Sequence, residues 1–337
     1  MATIKEIAKE ANVSPSTVSR VLSGSKKISP ETTKRVLEAI KKLGYVPNAN
    51  AKGLASKKSF TVGILVPREP ENTFLNFFFD QILTSISSVI NKFEYDILLA
   101  YSSEDKEEEL LKRLVKSKKV DGFILLSSCE KDFAIEYLKK IEFPFVVVGR
   151  PQKYENSVNW VDNDNIQAGF DATEYLIKLC HRNISFIGGP QNLIVTQDRL
   201  FGFKKALERY SVQLKNSYIR FTNYLKKSSY EIAHELLISE DRPTAIVCMD
   251  DLIAIEVIKV AKDLGVKIGK EISVISFNNS IITEVLNPPL TTIDINIFNI
   301  GLSAAELLMM DLTEPRKTYK RLIVPHKIIE RKSCANI

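Results

Sequence analysis

Hydrophobic residues in the first 45 positions recur at helical spacing in three short segments. In the first segment they are Ile4, Ile7, Ala8 and Ala11, and the second and third segments contain Val18, Val21 and Leu22, then Val36, Ala39, Ile40 and Leu43. Residues three or four apart share one face of a helix. We therefore predict three short helices that share one small core.

Residues typical of helix caps stand at the expected ends of these helices. Thr3 and Glu6 have the spacing of a capping box, in which each side chain bonds the backbone of the other residue. Ser14-Pro15 and Ser29-Pro30 each combine a capping hydroxyl with a proline at the first helical position. Gly44 is a helix stop. The next segment, residues 48–56, predicts about two turns of helix, which is too short to be stable without a contact partner.

From Phe60 onward, short apolar runs rich in β-formers alternate with amphipathic segments such as 104–118. The apolar runs span residues 61–66, 95–100, 121–126, 144–149, 184–189, 245–250 and 272–277. This alternation predicts parallel sheets covered by helices on both faces. About 270 residues suit two such sheets with a cleft between them, and ligands of such folds bind beyond the carboxyl ends of the strands. The predicted class is α/β, with a small all-α head and a two-part body.

Composition changes this picture little. The chain has 337 residues, of which 45% are hydrophobic and 26% charged, as in ordinary globular proteins. We find no apolar run near the roughly 18 residues of a membrane span and no signal-peptide pattern, so we expect a cytoplasmic protein. Four scattered cysteines, Cys129, Cys180, Cys248 and Cys334, suggest neither a metal site nor a disulfide framework. No cofactor is expected.

Charge is distributed unevenly along the chain. Residues 1–58 contain twelve Lys or Arg and four Glu, whereas the remainder contains 35 basic and 37 acidic residues. A basic head on a neutral body is typical of nucleic-acid binding, and the alternative is a solvated basic tail. The helical pattern and caps of the head favour the first interpretation.

Specific strings in the chain identify a family resemblance. Residues 3–55 contain VSPSTVSRVL followed by YVPN, and the body contains GILVP at 63–67 in the first apolar run, VDNDNIQAG at 161–169, DRLFG at 198–202 and NPPLTTI at 287–293. These strings resemble the LacI/GalR family of bacterial transcription regulators over essentially the whole chain. The resemblance implies a helix-turn-helix domain at 1–46, a hinge helix at 47–58 and an effector-binding and dimerisation domain at 59–337. It also implies two periplasmic-binding-protein-like subdomains, at 60–162 with 294–322 and at 163–293 with 323–333.

The resemblance also implies a set of DNA contacts. A helix-turn-helix lays its second helix in the major groove, and the implied contacts are Thr3, Ser14, Pro15, Ser16, Thr17, Ser19, Arg20, Asn48, Ala51 and Leu54. Arg20 is the main specificity candidate because a guanidinium bonds guanine in bidentate fashion, and the alternative is a solvated charge. Leu54 is expected to insert into the minor groove and bend the DNA, unless it covers the head. Pro15 stands where relatives often have a larger base-reading residue.

A ligand pocket in the body is the second implication of the resemblance. Its expected residues are Phe78, Phe79, Asp162, Arg199, Tyr224, Asp250 and Asn278. Arg199 would bind ligand hydroxyls through its planar donors, and the alternative is a structural salt bridge. The aromatic residues would stack on a sugar ring or else belong to the core. Asn278 replaces the aspartate that many relatives have.

Function follows from these implications. We predict a homodimeric repressor that binds a pseudo-palindromic operator and responds to a small sugar effector. The strings VDNDNIQAGFDATEYLIKL, VTQDRL and SVISFNNS are most similar to maltose-operon repressors of low-GC Gram-positive bacteria, so maltose or a maltodextrin is the expected sugar. The alternatives are a catabolite-control regulator that answers to a phosphorylated carrier protein and, more remotely, a transport receptor. We expect no enzyme, because catalytic and nucleotide-binding motifs are missing from the sequence.

Overall fold

The computed structural model describes residues 2–22, 27–45, 58–66, 77–101, 106–222, 229–314 and 318–337. The chain divides into two compact units, Met1–Phe60 and Thr61–Ile337. The predicted contact residues Asn48, Ala51, Leu54 and Tyr224 lie outside the described residues.

The first unit contains the three predicted helices, which are α1 (Ile4–Glu10), α2 (Pro15–Leu22) and α3 (Pro30–Leu43). Ile7, Val18 and Val36 contribute one residue from each helix to the core and are completely buried. The capping box of Thr3 is confirmed, with both reciprocal hydrogen bonds present. Ser29 caps α3, and Gly44 ends it at a φ of +58°, a conformation that glycine adopts without strain.

The second unit alternates strands and helices. In chain order these are β1 (Thr61–Leu65), α4 (Phe77–Ile90), β2 (Asp96–Ala100), α5 (Glu107–Lys116), β3 (Gly122–Leu125), α6 (Phe133–Lys140), β4 (Phe145–Val148), β5 (Asn159–Asn163), α7 (Asn165–Lys178), β6 (Ile184–Gly188), α8 (Ile194–Arg209), β7 (Ile219–Phe221), α9 (Ser229–Leu237), β8 (Ala245–Cys248), α10 (Asp251–Asp263), β9 (Ser273–Phe277), α11 (Ile282–Val285), β10 (Thr291–Asp294), α12 (Ile297–Thr313), β11 (Arg321–Val324) and β12 (Lys327–Ile329). All seven apolar runs noted above form strands.

These strands form two six-stranded sheets. The first sheet has the order β11-β5-β4-β3-β1-β2 and is parallel throughout. The second has the order β12-β10-β9-β8-β6-β7 and is parallel except for β12, which pairs antiparallel with β10. The prediction of two covered sheets is confirmed, and the antiparallel edge strand was not expected. Among the described residues, no helix combines the length and the apolar character needed to cross a membrane.

The chain passes between the two sheets three times, after β5, after β10 and after β11. We call the part of the second unit built on the first sheet the first lobe and the part built on the second sheet the second lobe. The last return to the first sheet extends to Val324, two residues beyond the boundary of 322 implied by the resemblance. The other subdomain boundaries stay predictions.

Candidate functional site

The second helix of the first unit presents a polar face to solvent. Pro15, Ser16, Ser19 and Arg20 are exposed, whereas Val18, on the opposite side, is completely buried. Positions 15, 16, 19 and 20 follow the 3.6-residue repeat and therefore share one face. This is the arrangement that a helix needs in order to place side chains in a DNA groove while its other side holds it to a core.

Hydroxyl groups organise the start of the same helix. The Ser14 Oγ accepts the backbone N–H of Thr17 at 3.1 Å and lies 2.7 Å from Ser16 Oγ and 2.9 Å from Thr17 Oγ1. The Thr3 backbone N–H donates to Glu6 Oε2 at 2.7 Å. These bonds fix the first turns of α1 and α2, which contain most of the predicted DNA contacts among the described residues. Their roles at DNA stay predictions.

In the second lobe, Arg199 lies at a junction of several strand ends. Its side chain is 3% exposed. The Nε donates to Asn165 Oδ1 at 2.8 Å, the Nη1 donates to the Met249 carbonyl at 2.5 Å, and the guanidinium lies 4.1 Å from the centre of the Phe277 ring. Asn165 begins α7, while Met249 and Phe277 are at the ends of β8 and β9. Arg199 thus marks the carboxyl edge of the second sheet.

Two predicted ligand residues follow directly after the partners of Arg199. Asp250 follows Met249, is 3% exposed, and caps α10 by accepting the Ile253 N–H at 2.9 Å. Asn278 follows Phe277, is 7% exposed and has a φ of +103°. A non-glycine residue in this region is strained, and such residues cluster at binding sites. The structure therefore brings Arg199, Asp250 and Asn278 to the same edge.

Asp162 joins this group through an intermediate residue that the sequence did not single out. Asn165 donates from Nδ2 to Asp162 Oδ1 at 3.0 Å while its own oxygen accepts from Arg199. Asp162 also accepts the backbone N–H groups of Arg150 at 2.9 Å and Asn163 at 2.8 Å. Burial raises the pKa of Asp162 to about 6, although these hydrogen bonds and the nearby Arg199 act to lower it. The carboxylate is therefore charged at neutral pH and accepts protons below pH 6.

Asp251 has a different role from its neighbour. Its carboxylate accepts hydrogen bonds from Ser276 Oγ at 2.5 Å, from Ser280 N and Oγ at 2.9 and 2.6 Å, and from Thr292 Oγ1 at 3.2 Å. Burial raises its pKa to about 6, against the effect of these donors. This carboxylate holds the turn after β9 in which Asn278 lies, so it supports the site from within the protein.

Phe78 and Phe79, the predicted aromatic residues that the structure describes, lie in the first turn of α4. Phe79 is 8% exposed and belongs to the buried stripe of α4, together with Ile82 and Ile86. Phe78 is half-buried and meets the Phe79 ring edge-on at 5.2 Å. Their ligand role stays a prediction, as does that of Tyr224.

Two glycines position Arg199 by letting α7 and α8 touch through their backbones. A Cβ on Gly202 would lie 2.0 Å from the Ile166 carbonyl oxygen, and a Cβ on Gly169 would lie 2.3 Å from the Arg199 carbonyl oxygen. Both distances are below any that real Cβ atoms tolerate. The glycines in the AG and DRLFG strings are thus explained by close helix packing.

We expect the variant Gly202→Ala to lose about 2 kcal/mol or more of unfolding free energy, because the methyl group meets backbone that cannot rotate away. A loss of stability would be informative, since alanine in a helix interior ordinarily stabilises a protein by about 1 kcal/mol relative to glycine. Urea unfolding measures the difference, and Lys204→Ala, at an exposed position of the same helix, is the control. A stabilised Gly202→Ala variant would contradict the packing argument.

Comparison with known proteins gives matches along nearly the whole chain. The family model "Bacterial regulatory proteins, lacI family" matches residues 3–48, and the model "Periplasmic binding protein-like domain" matches residues 173–334. The HTH-type transcriptional regulator MalR of Streptococcus pneumoniae is 35% identical, covering 98% of this chain and 99% of the relative. Catabolite control protein A of Priestia megaterium is also 35% identical, with 98% of each covered.

A solved structure resembles the chain over a similar extent. The transcriptional regulator CelR in complex with cellobiose superposes with a TM-score of 0.77 at 29% identity, covering 99% of this chain and 100% of that one. The likeness therefore includes both the small helical unit and the two-lobed unit.

Proposed function

The chain belongs to the lacI family of bacterial regulatory proteins, and on that premise we propose that it is a repressor whose operator binding is controlled by maltose or a short maltodextrin. Regulators of this family bind operator DNA and form dimers, and they are not enzymes. The proposed location is the cytoplasm, where the operator is.

The observation that carries the proposal is the buried group around Arg199. It combines a guanidinium, an amide and carboxylates at the carboxyl edge of a parallel sheet, which is the mixture of donors and acceptors that sugar hydroxyls require. Carboxylates outnumber cations here, because Arg150 and Arg199 lie among four buried aspartates: Asp162, Asp198, Asp250 and Asp251. A phosphorylated ligand would favour an excess of cations, so this charge distribution supports a neutral sugar.

The relatives support a disaccharide of glucose. One 35% identical relative is named MalR, and the CelR structure with the same fold holds cellobiose. Phe78, Phe79 and Tyr224 are proposed to supply the apolar surfaces against which sugar rings stack. Arg199, Asp162, Asp250 and Asn278 are proposed to bond the hydroxyl groups.

On the DNA side, we propose that α2 reads the major groove and that the hinge segment 47–58 contacts the minor groove. Arg20 is the proposed base-reading residue, supported by its position on the exposed face of α2. Leu54 is the proposed wedge. A wedge deforms the duplex without neutralising phosphates. The loss of Leu54 is therefore expected to lower the affinity for operator and to leave the salt dependence of binding nearly unchanged.

Calorimetry of the full-length protein against a panel of sugars tests the ligand assignment. We expect maltose and maltotriose to bind, with sucrose, ribose and glucose 6-phosphate binding markedly worse, because each buried polar group left unpaired costs about 1–3 kcal/mol. Glucose serves as the control for one ring alone. If another sugar bound and maltose gave no binding signal, the maltose assignment would be wrong and the family assignment would stand.

A catabolite-control role is the second candidate, because Catabolite control protein A of Priestia megaterium is as similar to this chain as MalR is. Such a regulator would gain operator affinity on adding a phosphorylated carrier protein. A titration with that protein, in the presence and absence of maltose, separates the two candidates. A response to maltose alone supports the maltose repressor.

A further inference from the structure

A non-covalent connection joins the lobes in addition to the three passages of the chain. Cys129, beyond β3 of the first lobe, forms an antiparallel bridge with Leu193, which precedes α8 of the second lobe. Two backbone hydrogen bonds flank it, from the Ile194 N–H to the Ser128 carbonyl at 3.1 Å and from the Glu130 N–H to the Asn192 carbonyl at 3.0 Å. A short two-stranded ladder therefore crosses the cleft.

Side chains reinforce this ladder on the same turn of α8. Arg150, at the end of β4, donates from Nη2 to Asp198 Oδ1 at 2.6 Å and from Nε to Asp198 Oδ2 at 3.2 Å. Gln197 donates from Nε2 to Glu130 Oε1 at 2.6 Å. The Arg150 contact is a bidentate fork, the strongest geometry for a charged pair, and its carboxylate is 9% exposed.

The connection is linked to the candidate effector site by a closed ring of contacts. Asp198, which binds Arg150 of the first lobe, directly precedes Arg199, which bonds Asn165 and Met249 of the second lobe. Arg199 bonds Asn165, Asn165 bonds Asp162, and Asp162 accepts the backbone N–H of Arg150. Any motion that separates Arg150 from Asp198 therefore also acts on the residues that surround Arg199.

We propose that Ser128–Glu130 and Arg150 of the first lobe, with Asn192–Asp198 of the second, form an interlobe latch that sets how readily the cleft opens and so how strongly the effector is retained. The retention part rests on the proposed function. The three chain passages keep the lobes together when the latch opens, so opening does not require unfolding. Because only the closed fraction retains the effector, a weaker latch lowers its apparent affinity.

Hydrogen exchange of the full-length protein without any ligand tests the latch itself. In the variants Arg150→Gln and Asp198→Asn, the amides of Glu130 and Ile194 are expected to exchange about tenfold faster or more, while amides within β3 and β6 keep their protection. The double variant is expected to exchange no faster than the more affected single variant, because both changes break one interaction. Lys153→Gln, whose lysine pairs with Glu136 inside the first lobe, is the matched control and should behave as the wild type.

The latch proposal would be contradicted if both amides exchanged at the wild-type rate in Arg150→Gln. It would also be contradicted if the increases in exchange rate of the two single variants multiplied in the double variant. Arg150 is about one-third exposed, so Arg150→Gln is expected to fold even if the buried Asp198→Asn change does not. Gln197→Ala then serves as the second latch variant.

For the effect of the latch on effector retention, we expect the dissociation rate of maltose to rise about tenfold in Arg150→Gln and to stay unchanged in Lys153→Gln. Failure of maltose to bind the wild type would count against the proposed function, and the exchange rates would still decide the latch.

Discussion

Replacing Arg199 by alanine is expected to abolish the response to sugar and to leave operator binding intact. The side chain is buried and makes charge-assisted hydrogen bonds to Asn165 and the Met249 carbonyl. Loss of the guanidinium removes its proposed hydrogen bonds to the sugar hydroxyls, which is expected to cost about 3 kcal/mol of binding free energy. That energy corresponds to about 100-fold in sugar affinity. The helices of the first unit contain none of these residues, so the affinity for operator should change by less than about twofold.

Operator titrations by fluorescence anisotropy, at a series of maltose concentrations, measure both properties in one experiment. Arg209→Ala is the matched control, because it removes an exposed arginine from the last turn of the same helix. Thermal unfolding shows whether the variant is folded. An Arg199→Ala protein that releases operator at the wild-type maltose concentration would exclude Arg199 from the effector site.

Replacing Arg20 by alanine is expected to have the opposite outcome, with operator affinity lost and sugar binding kept. Arg20 is on the exposed face of α2, and a bidentate contact with guanine discriminates by about 1–3 kcal/mol. The two heads of a dimer would each lose this contact, so operator affinity should fall by about 100-fold or more. Affinity for random DNA should fall much less, because it depends on phosphate contacts.

The control for this change is Arg35→Ala, which removes one exposed charge from α3. This variant is expected to lose affinity for operator and for random DNA by similar factors. Calorimetry with maltose should give the wild-type affinity for both variants. Equal losses on operator and random DNA for Arg20→Ala would show that Arg20 contacts only the backbone.

Local patterns were sufficient to predict the helices of the first unit and most of the strands. Ser29, Pro30 and Gly44 determine where α3 begins and ends through interactions within a few residues. Five strands were not predicted, namely β5, β7, β10, β11 and β12. Strands β7, β11 and β12 have three or four residues each, and most of their side chains are exposed or half-buried. Strands β5 and β10 are buried, but Asn, Asp and Thr residues interrupt their apolar pattern. The antiparallel pairing of β12 with β10 depends on how the chain returns from the first lobe, which no local pattern records.

In the candidate site, too, local sequence patterns identified some residues, whereas the roles of others depend on contacts between distant parts of the chain. Arg199, Asp162 and Asp250 were identified from strings and from their positions after apolar runs, and the structure brings them together. The roles of Asn165 and Asp198 depend on contacts across 34 and 48 positions of the chain, to Arg199 and Arg150 respectively. The contact between Asn165 and Arg199 joins α7 to α8, which pack closely because Gly169 and Gly202 present no side chain.

The most direct test of the account is the affinity of the full-length wild-type protein for its operator, measured with and without maltose. Binding sites are first selected from random duplex DNA, and the selected duplex is then titrated at fixed salt, because affinity for DNA depends strongly on salt. We predict tight binding of a pseudo-palindromic duplex without sugar, and release with saturating maltose that lowers affinity by about 10³-fold. Sucrose at the same concentration should have no effect. Operator binding that maltose leaves unchanged would contradict the account.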